Sequence, residues 1–427
     1  MDNATHAFAG LLLADATALY ISRRTAAPID RPLRRTLVWL GVVAAELPDA
    51  DLLYSGPVVG MGKLGYLLHH RGHTHTILFA LGAAFLMWYT ALWWRRRSPA
   101  PPASASLAVE RRALLALAVA GTLSHLALDY TNSYGIHPFW PFDNRWIYGD
   151  MVFIVEPWLW VVAIPALWFG PRQRWGRVVL ALLLCAILAA SFTLGELTRS
   201  LAIAVAVGAV VWSLCMWRVS GAARVLMGIG AWCTVEGVFA LSSARAGSAA
   251  REAMRTVAPD EVVADVVVSP GAGNPFCFDA LVISNTATTY AVRAATIAPW
   301  SALRANGWRS TGSCRARDGG TRITGLDGVQ DLQPTNVRGV RFAQRWSVSR
   351  ASLVQLRETY CEVGPGLRFY RVPAWRVDST TAVMSDIRFG VGEGGFSDLV
   401  LRRDGCTLPT RAWIPPWTPP RSELDAG

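Results

Sequence analysis

At 427 residues the chain has room for two or three domains, and a hydrophobic share of 52% against 17% charged residues excludes a soluble protein of this size. Several apolar runs approach the roughly 20 residues a helix needs to cross the hydrocarbon core, so the chain reads as a polytopic membrane protein. The net charge of +11 comes largely from arginines in short loops between those runs. Membrane topology accounts for them there, and nucleic acid is not expected as a partner.

In chain order, residues 1–5 carry no basic region, so no cleaved signal peptide is expected. Two irregular apolar segments follow. Residues 6–21 contain Asp15, and residues 36–47 make about three turns before Pro48 stops them. They read either as short spans or as a re-entrant pair. Clearer spans lie at 77–94, 113–130, 151–169, 178–194, 201–217 and 225–241. If loops 21–36, 95–112, 170–178 and 218–224 face the cytoplasm they hold fifteen basic residues, against four (Lys63, Arg71, Arg145 and Arg199) in loops 55–75, 131–150 and 195–200. The positive-inside rule then puts loop 55–75 and everything after about residue 241 outside.

Beyond residue 250 the long apolar runs give way to short β-favouring ones, 262–268, 280–284 and 337–342, separated by Gly, Pro and Asn turns. The expected fold is thus an all-α polytopic membrane bundle of about six to eight spans over 1–245, followed by a β-rich (α+β) extramembrane domain over 250–427. Cys277, Cys314, Cys361 and Cys406 lie in this tail, and Cys185, Cys215 and Cys233 in the spans. An even number of cysteines in an oxidising compartment predicts two disulfides, with the pairing open. The segment 415–420 is proline-rich and expected to be irregular.

All seven histidines fall in the first 137 residues, and four of them, His69, His70, His73 and His75, stand within seven residues just before an apolar run. A pair of histidines there would read as a solvated turn, but this density points to a transition metal. The expected topology brings other ligand types to the same outer face: His6 opens the first segment, Asp49 and Asp51 flank one residue after Pro48, and His125 and Asp129 stand at i and i+4 on one helix face. Each has a bland alternative, such as a cap or an arginine partner. Together they are harder to explain away, because ionisable groups at membrane depth are costly.

The sequences Leu47-Pro48-Asp49-Ala50-Asp51, His70-Arg71-Gly72-His73-Thr74-His75-Thr76 and Ser124-His125-Leu126-Ala127-Leu128-Asp129, after His6 and followed by Gly135 and Pro138, resemble the membrane-bound, metal-dependent hydrolase family of bacterial inner membranes. The resemblance covers about 1–150. A weaker one, to the extension of longer members, runs through Gly273-Asn274-Pro275-Phe276 and Leu367-Arg368-Phe369-Tyr370-Arg371-Val372-Pro373. The family pattern over 1–150 implies metal binding by His6, Asp49, Asp51, His70, His75, His125 and Asp129. His73 departs from the family pattern, which is apolar or aromatic there, and reads as an extra ligand or a proton carrier. No counterpart exists for His69 or His137.

Seven N/O ligands exceed the roughly four that one zinc takes, so one or two divalent ions, zinc first, are expected, with Asp49 or Asp51 as a bridge. Arg71 reads equally as a clamp for phosphate and as a lipid-headgroup contact. Trp140, Trp146 and Trp158 read as the rim of a site for an amphiphilic or lipid-linked substrate, or as a plain interfacial belt. The hydrolase reading, for an ester or phosphoester, competes with a structural metal and with ion transport through Asp15, Glu156 and Glu236.

The sidedness is testable by single-cysteine labelling of a cysteine-free protein in intact cells. Lys63→Cys should react with an impermeant maleimide and Ala100→Cys should not. Selective labelling at position 100 would reverse the topology.

Overall fold

The structure is a computed structural model, and it describes residues 1–56, 59–97, 104–300, 314, 322–378, 381–391, 394–401, 408 and 412–424. The membrane part begins with α1 (Asn3–Thr25) and α2 (Arg31–Glu46), then a 3-10 turn (Leu47–Asp51) and the short helices α3 (Leu52–Ser55) and α4 (Gly62–His69). A second 3-10 turn (His73–His75) leads into α5 (Ile77–Arg96), α6 (Ser104–Tyr130), α7 (Pro157–Trp168), α8 (Arg174–Thr193), α9 (Arg199–Arg218) and α10 (Gly221–Val257). Local chemistry starts the first helices: the carboxylates of Asp2 and Asp30 and the hydroxyl of Thr76 accept from backbone N–H groups in the first turns of α1, α2 and α5. Among the described residues, α1, α5, α6, α8, α9 and α10 are long and apolar enough to cross a membrane. Their outward faces keep Leu78, Phe85, Leu86, Leu182, Val207 and Val210 exposed, as lipid contact requires.

One expected span is corrected and three other bounds are sharpened. The segment 6–21 belongs to a full 23-residue helix, whereas α2 has 16 residues. The span expected at 151–169 is a 12-residue helix beginning at Pro157, about 18 Å long; residues 151–154 are instead non-helical chain fastened by backbone bonds to Asp2 and Thr131. Ten of the 12 residues of α7 are buried, so it is a core helix inside the bundle. The expected domain boundary at 245–250 falls within α10, which runs on to Val257 and packs its last turns on the tail through Ala246, Ala250, Ala253 and Met254.

Helices α1 and α2 approach so closely that a Cβ on Gly10 would lie 2.2 Å from the carbonyl oxygen of Gly41. Small residues permit such contact between membrane helices. Asp15 of α1 is held by Arg34 at 2.5 Å and by Arg172 at 2.8 Å, and Arg95 of α5 bonds Glu110 of α6 at 2.6 Å. Three of the arginines that topology assigned to the cytoplasm, Arg34, Arg95 and Arg172, therefore neutralise carboxylates of the bundle.

In the tail, β1 (Val262–Gly271), β2 (Asn274–Asn285), β3 (Thr289–Ile297), β4 (Gln330–Val337) and β5 (Val340–Ser349) form an antiparallel sheet of order β1-β2-β3-β5-β4. The run expected at 337–342 is a hairpin: β4 ends at Val337, Arg338 and Gly339 turn with positive φ, and β5 begins at Val340. Helices α11 (Arg350–Thr359) and α12 (Val363–Leu367) lead to a second sheet of β6 (Pro373–Val377), β7 (Ala382–Asp386) and β8 (Leu399–Leu401). Cys277 and Cys314 form a disulfide. Cys361 is disulfide-bonded as well, while Cys406 lies outside the described residues.

The tail is fastened to the bundle at points that the two tail motifs supply. At the β1–β2 turn, Gly273 donates its N–H to Glu156 at 2.9 Å and accepts from Trp158 Nε1 at 3.0 Å. Arg371 is buried between Asp150 at 2.8 Å and Asp265 at 2.7 Å. Trp146 donates to the carbonyl of Arg368 at 2.5 Å. Trp146 and Trp158 thus anchor the tail and are not a plain interfacial belt.

Candidate metal centre

The four separate segments converge. Two groups of side chains each offer donor atoms that all lie within 4.8 Å of one another: Asp49, His75, His125 and Asp129 in one, and Asp49, Asp51 and His70 in the other. Asp49 belongs to both. His6 stands outside either group, yet its Nε2 is 3.2 Å from Asp129 Oδ1, its ring stacks on His125 with centroids 3.9 Å apart, and neither of its ring nitrogens has a hydrogen bond among the described residues. All seven residues that the resemblance implied as ligands therefore meet at one end of α1, α2 and α6. Each of the three elements contributes through its geometry. His6 lies in the first turn of α1, the 3-10 turn after Pro48 presents Asp49 and Asp51, and the i, i+4 spacing on α6 stacks His125 above Asp129, with Nε2 3.4 Å from Oδ2.

Whether these residues suit a cation is decided by the hydrogen bonds at their far sides. His125 Nδ1 lies 2.6 Å from the carbonyl oxygen of Ala45, which can only accept, so Nδ1 carries a proton and, in the neutral ring, Nε2 is a lone pair. That lone pair faces His75 Nε2 at 3.1 Å. His75 Nε2 also lies 2.9 Å from Asp129 Oδ2 and 3.4 Å from Asp49 Oδ1. Burial works against a charge on His75, but its contacts with Asp129, Asp49 and Asp51 outweigh that and push it up to about 10. A convergence of lone pairs and carboxylates needs a shared positive charge, either a proton on His75 or a metal ion that replaces it. The donor set fits the second option: imidazoles held by an outer hydrogen bond and carboxylates are the usual ligands of zinc and similar ions.

Asp51 plays the organising part in the second group. It accepts from His70 Nδ1 at 2.9 Å, from the Arg71 N–H at 2.8 Å and from Thr74 Oγ1 at 2.9 Å. Fixing His70 through Nδ1 leaves its Nε2 free to bind. Arg71, with φ of 58°, holds the left-handed turn that brings these groups round the carboxylate. Its guanidinium bonds Asp129 Oδ1 at 3.0 Å and Asn132 Oδ1 at 2.9 Å and lies over the Tyr134 ring. Arg71 is thus tied to one of the candidate donors and is not a free surface cation. The Met1 amine also ion-pairs with Asp129.

The remaining histidines belong to a different environment. His73 sits between Trp140, Trp413 and Trp417, with centroids 4.5 to 4.8 Å away, and burial and His69 lower it to about 4. It stands outside both donor groups. His69 Nε2 is 3.2 Å from the Trp413 carbonyl, and His137 is stacked on Trp417 and tilted against Trp146. These three histidines dock the chain end, whose Trp417 donates to the Leu68 carbonyl at 2.7 Å.

A cavity of about 460 Å³ opens beside the centre, lined by His70 and Arg71 together with tail residues such as Arg388, Phe389 and Phe396. None of the tail residues in this lining stood out in the sequence, since a phenylalanine or arginine in a β-rich tail carries no spacing signal. Asn132 and Tyr134, also in the lining, follow the Asp129 motif closely, and that proximity was the available clue.

Residues 1–198 match the family model described as YdjM inner membrane protein. The match takes in every donor of both groups and all of α1 to α8, and stops before α9 and the tail. No match was found among curated proteins or among solved structures.

Metal content by mass spectrometry of the purified protein tests the centre. His75→Ala and Asp49→Ala should each lower metal affinity about 100-fold or more, since loss of even an outer hydrogen-bond partner costs roughly 10–100-fold. His73→Ala should retain wild-type metal. Unchanged metal in both ligand variants would contradict the site.

Proposed function

We propose that the protein is a membrane-embedded, metal-dependent hydrolase that cleaves an ester, with a phosphoester favoured, of an amphiphilic substrate at the outer face of a bacterial inner membrane. The reading is carried by one observation: the first donor group is buried but for the half-buried Asp49, whereas the second, through His70, borders a cavity large enough for a substrate headgroup. A structural ion is closed off by its ligands, and a catalytic one keeps a position open. His6, Asp49, His75, His125 and Asp129 would hold a divalent ion, with zinc favoured by the imidazole share, and His70 with Asp49 and Asp51 offers a second position. When bound, such an ion supplies a Lewis acid that makes water nucleophilic near neutral pH.

The chain's own residues do the rest. Asp51 orients His70, Arg71 holds Asp129 in place from the side opposite His75, and the buried walls exclude bulk water. Hydrolysis adds one water: its oxygen bonds to phosphorus or to the acyl carbon, the bond to the leaving alcohol oxygen breaks, and the proton given up by water ends on that alcohol. The transport alternative loses two of its three stepping stones, because Asp15 is neutralised by Arg34 and Arg172 and Glu156 caps α7 and binds Gly273. The inner-membrane description of the matched family and the apolar spans support the location.

Metal-loaded protein should turn over at least one of a panel of short-chain phospholipid and lipid-phosphate esters, lose that activity to a chelator and regain it with added zinc. His70→Ala should slow it by about 10–100-fold. Stoichiometric metal with no turnover on any ester would favour a structural ion.

A further inference from the structure

The cavity beside the centre contains hydrogen-bond donors that no described residue satisfies. Arg71 Nε, Asn132 Nδ2 and the Tyr134 hydroxyl have no hydrogen-bond partner among the described residues. Their residues are only 3%, 6% and 8% exposed. All three line the same cavity, next to His70. Buried polar groups in folded proteins are nearly always paired, so three orphaned donors in one wall call for an acceptor that is not part of the chain. The groups are also fixed in place. Asn132 Oδ1 accepts from Arg71 at 2.9 Å and from the Tyr134 N–H at 2.9 Å, which orients its amide so that the NH2 is left over, and Arg71 lies 5.0 Å over the Tyr134 ring. A guanidinium, an amide NH2 and a phenol in one cluster suit an anionic oxygen.

The other walls describe what carries that oxygen. Val152, Phe153 and Ile154 come from the membrane part, and Ile154 is half exposed; Phe389 and Phe396 come from the tail. Of the two carboxylates in the lining, Asp150 is neutralised by Arg371, and Asp279 lies on β2 of the tail.

We propose that this cavity is the substrate pocket of the metal centre, in which Arg71, Asn132 and Tyr134 hold a phosphate oxygen of an amphiphile whose apolar part lies between Phe153 and the tail's Phe389 and Phe396. This deepens the hydrolase reading and rests on it for the chemistry that follows binding. It makes the tail a specificity element: the bundle supplies the ions and the donors, and the tail supplies the apolar wall.

Asn132→Asp is the discriminating variant, because it keeps the oxygen that Arg71 and Tyr134 bond and replaces the leftover donor by an anionic acceptor. Tyr134→Phe removes one hydroxyl, and Phe396→Ala trims a partly exposed wall. Binding of inorganic phosphate and of dihexanoylphosphatidic acid to the full, metal-loaded chain is measured by calorimetry, with metal content and melting temperature confirmed for each variant. Asn132→Asp should weaken both probes about tenfold or more and Tyr134→Phe several-fold. Phe396→Ala should weaken phosphatidic acid alone. Wild-type affinity for both probes in Asn132→Asp and Tyr134→Phe, or no binding of either probe by the wild type, overturns the pocket. Equal affinity for the two probes with no effect of Phe396→Ala overturns the lipid assignment in favour of free phosphate. Binding that follows the expected pattern without turnover would count against the hydrolase and leave the pocket standing, and turnover with unaltered binding in the variants would do the reverse.

Discussion

The structure depends on a single electrostatic constraint: carboxylates and imidazole lone pairs from four chain segments are forced together in an apolar bundle. Asp49, His75, His125 and Asp129 lie within 4.8 Å of one another, and at low dielectric such a cluster is tolerated only with a compensating charge at its centre. The surrounding hydrogen bonds are arranged to keep lone pairs inward. Ala45 and Asp51 take the outer protons of His125 and His70, and Arg71 and the Met1 amine balance Asp129. The close contact of Gly10 with Gly41 serves the same end, since it brings the helix bearing His6 against the one that delivers Asp49 and Asp51.

Around this centre the tail is an integral wall. It is stitched to the bundle by Glu156 and Trp158 at the Gly273 turn, by Arg371 against Asp150, and by Trp417 over the histidine stretch. Burying an arginine between two carboxylates is rarely a source of net stability, but breaking one is expensive, so such a pair fixes one docking geometry. That geometry places tail residues in the lining of the cavity beside His70.

The candidate donors were legible in the sequence because residue types that suit a metal leave a dense local signature: histidines within seven residues, carboxylates either side of one residue after a proline, and an i, i+4 pair. The bundle was legible from apolar length. What hydropathy could not give was the fate of apolar stretches that stay inside the protein. Residues 151–169 are as apolar as a span, yet α7 is short and buried among other helices, since a core position and a lipid-facing one ask for the same residue types. Likewise 337–342 reads as one β-favouring run and is a turn, because Arg338 and Gly339 adopt positive φ inside it. The roles of Trp146 and Trp158, and of Phe389 and Phe396, depend on tertiary approach between residues more than a hundred positions apart, for which no local pattern exists.

The most direct measurement is a diffraction experiment on the purified protein at the absorption edge of the metal found in it. Anomalous density between Asp49, His75, His125 and Asp129 is the result required by a metal centre. Well-ordered side chains at these positions with no anomalous density, or density only elsewhere in the molecule, would contradict it.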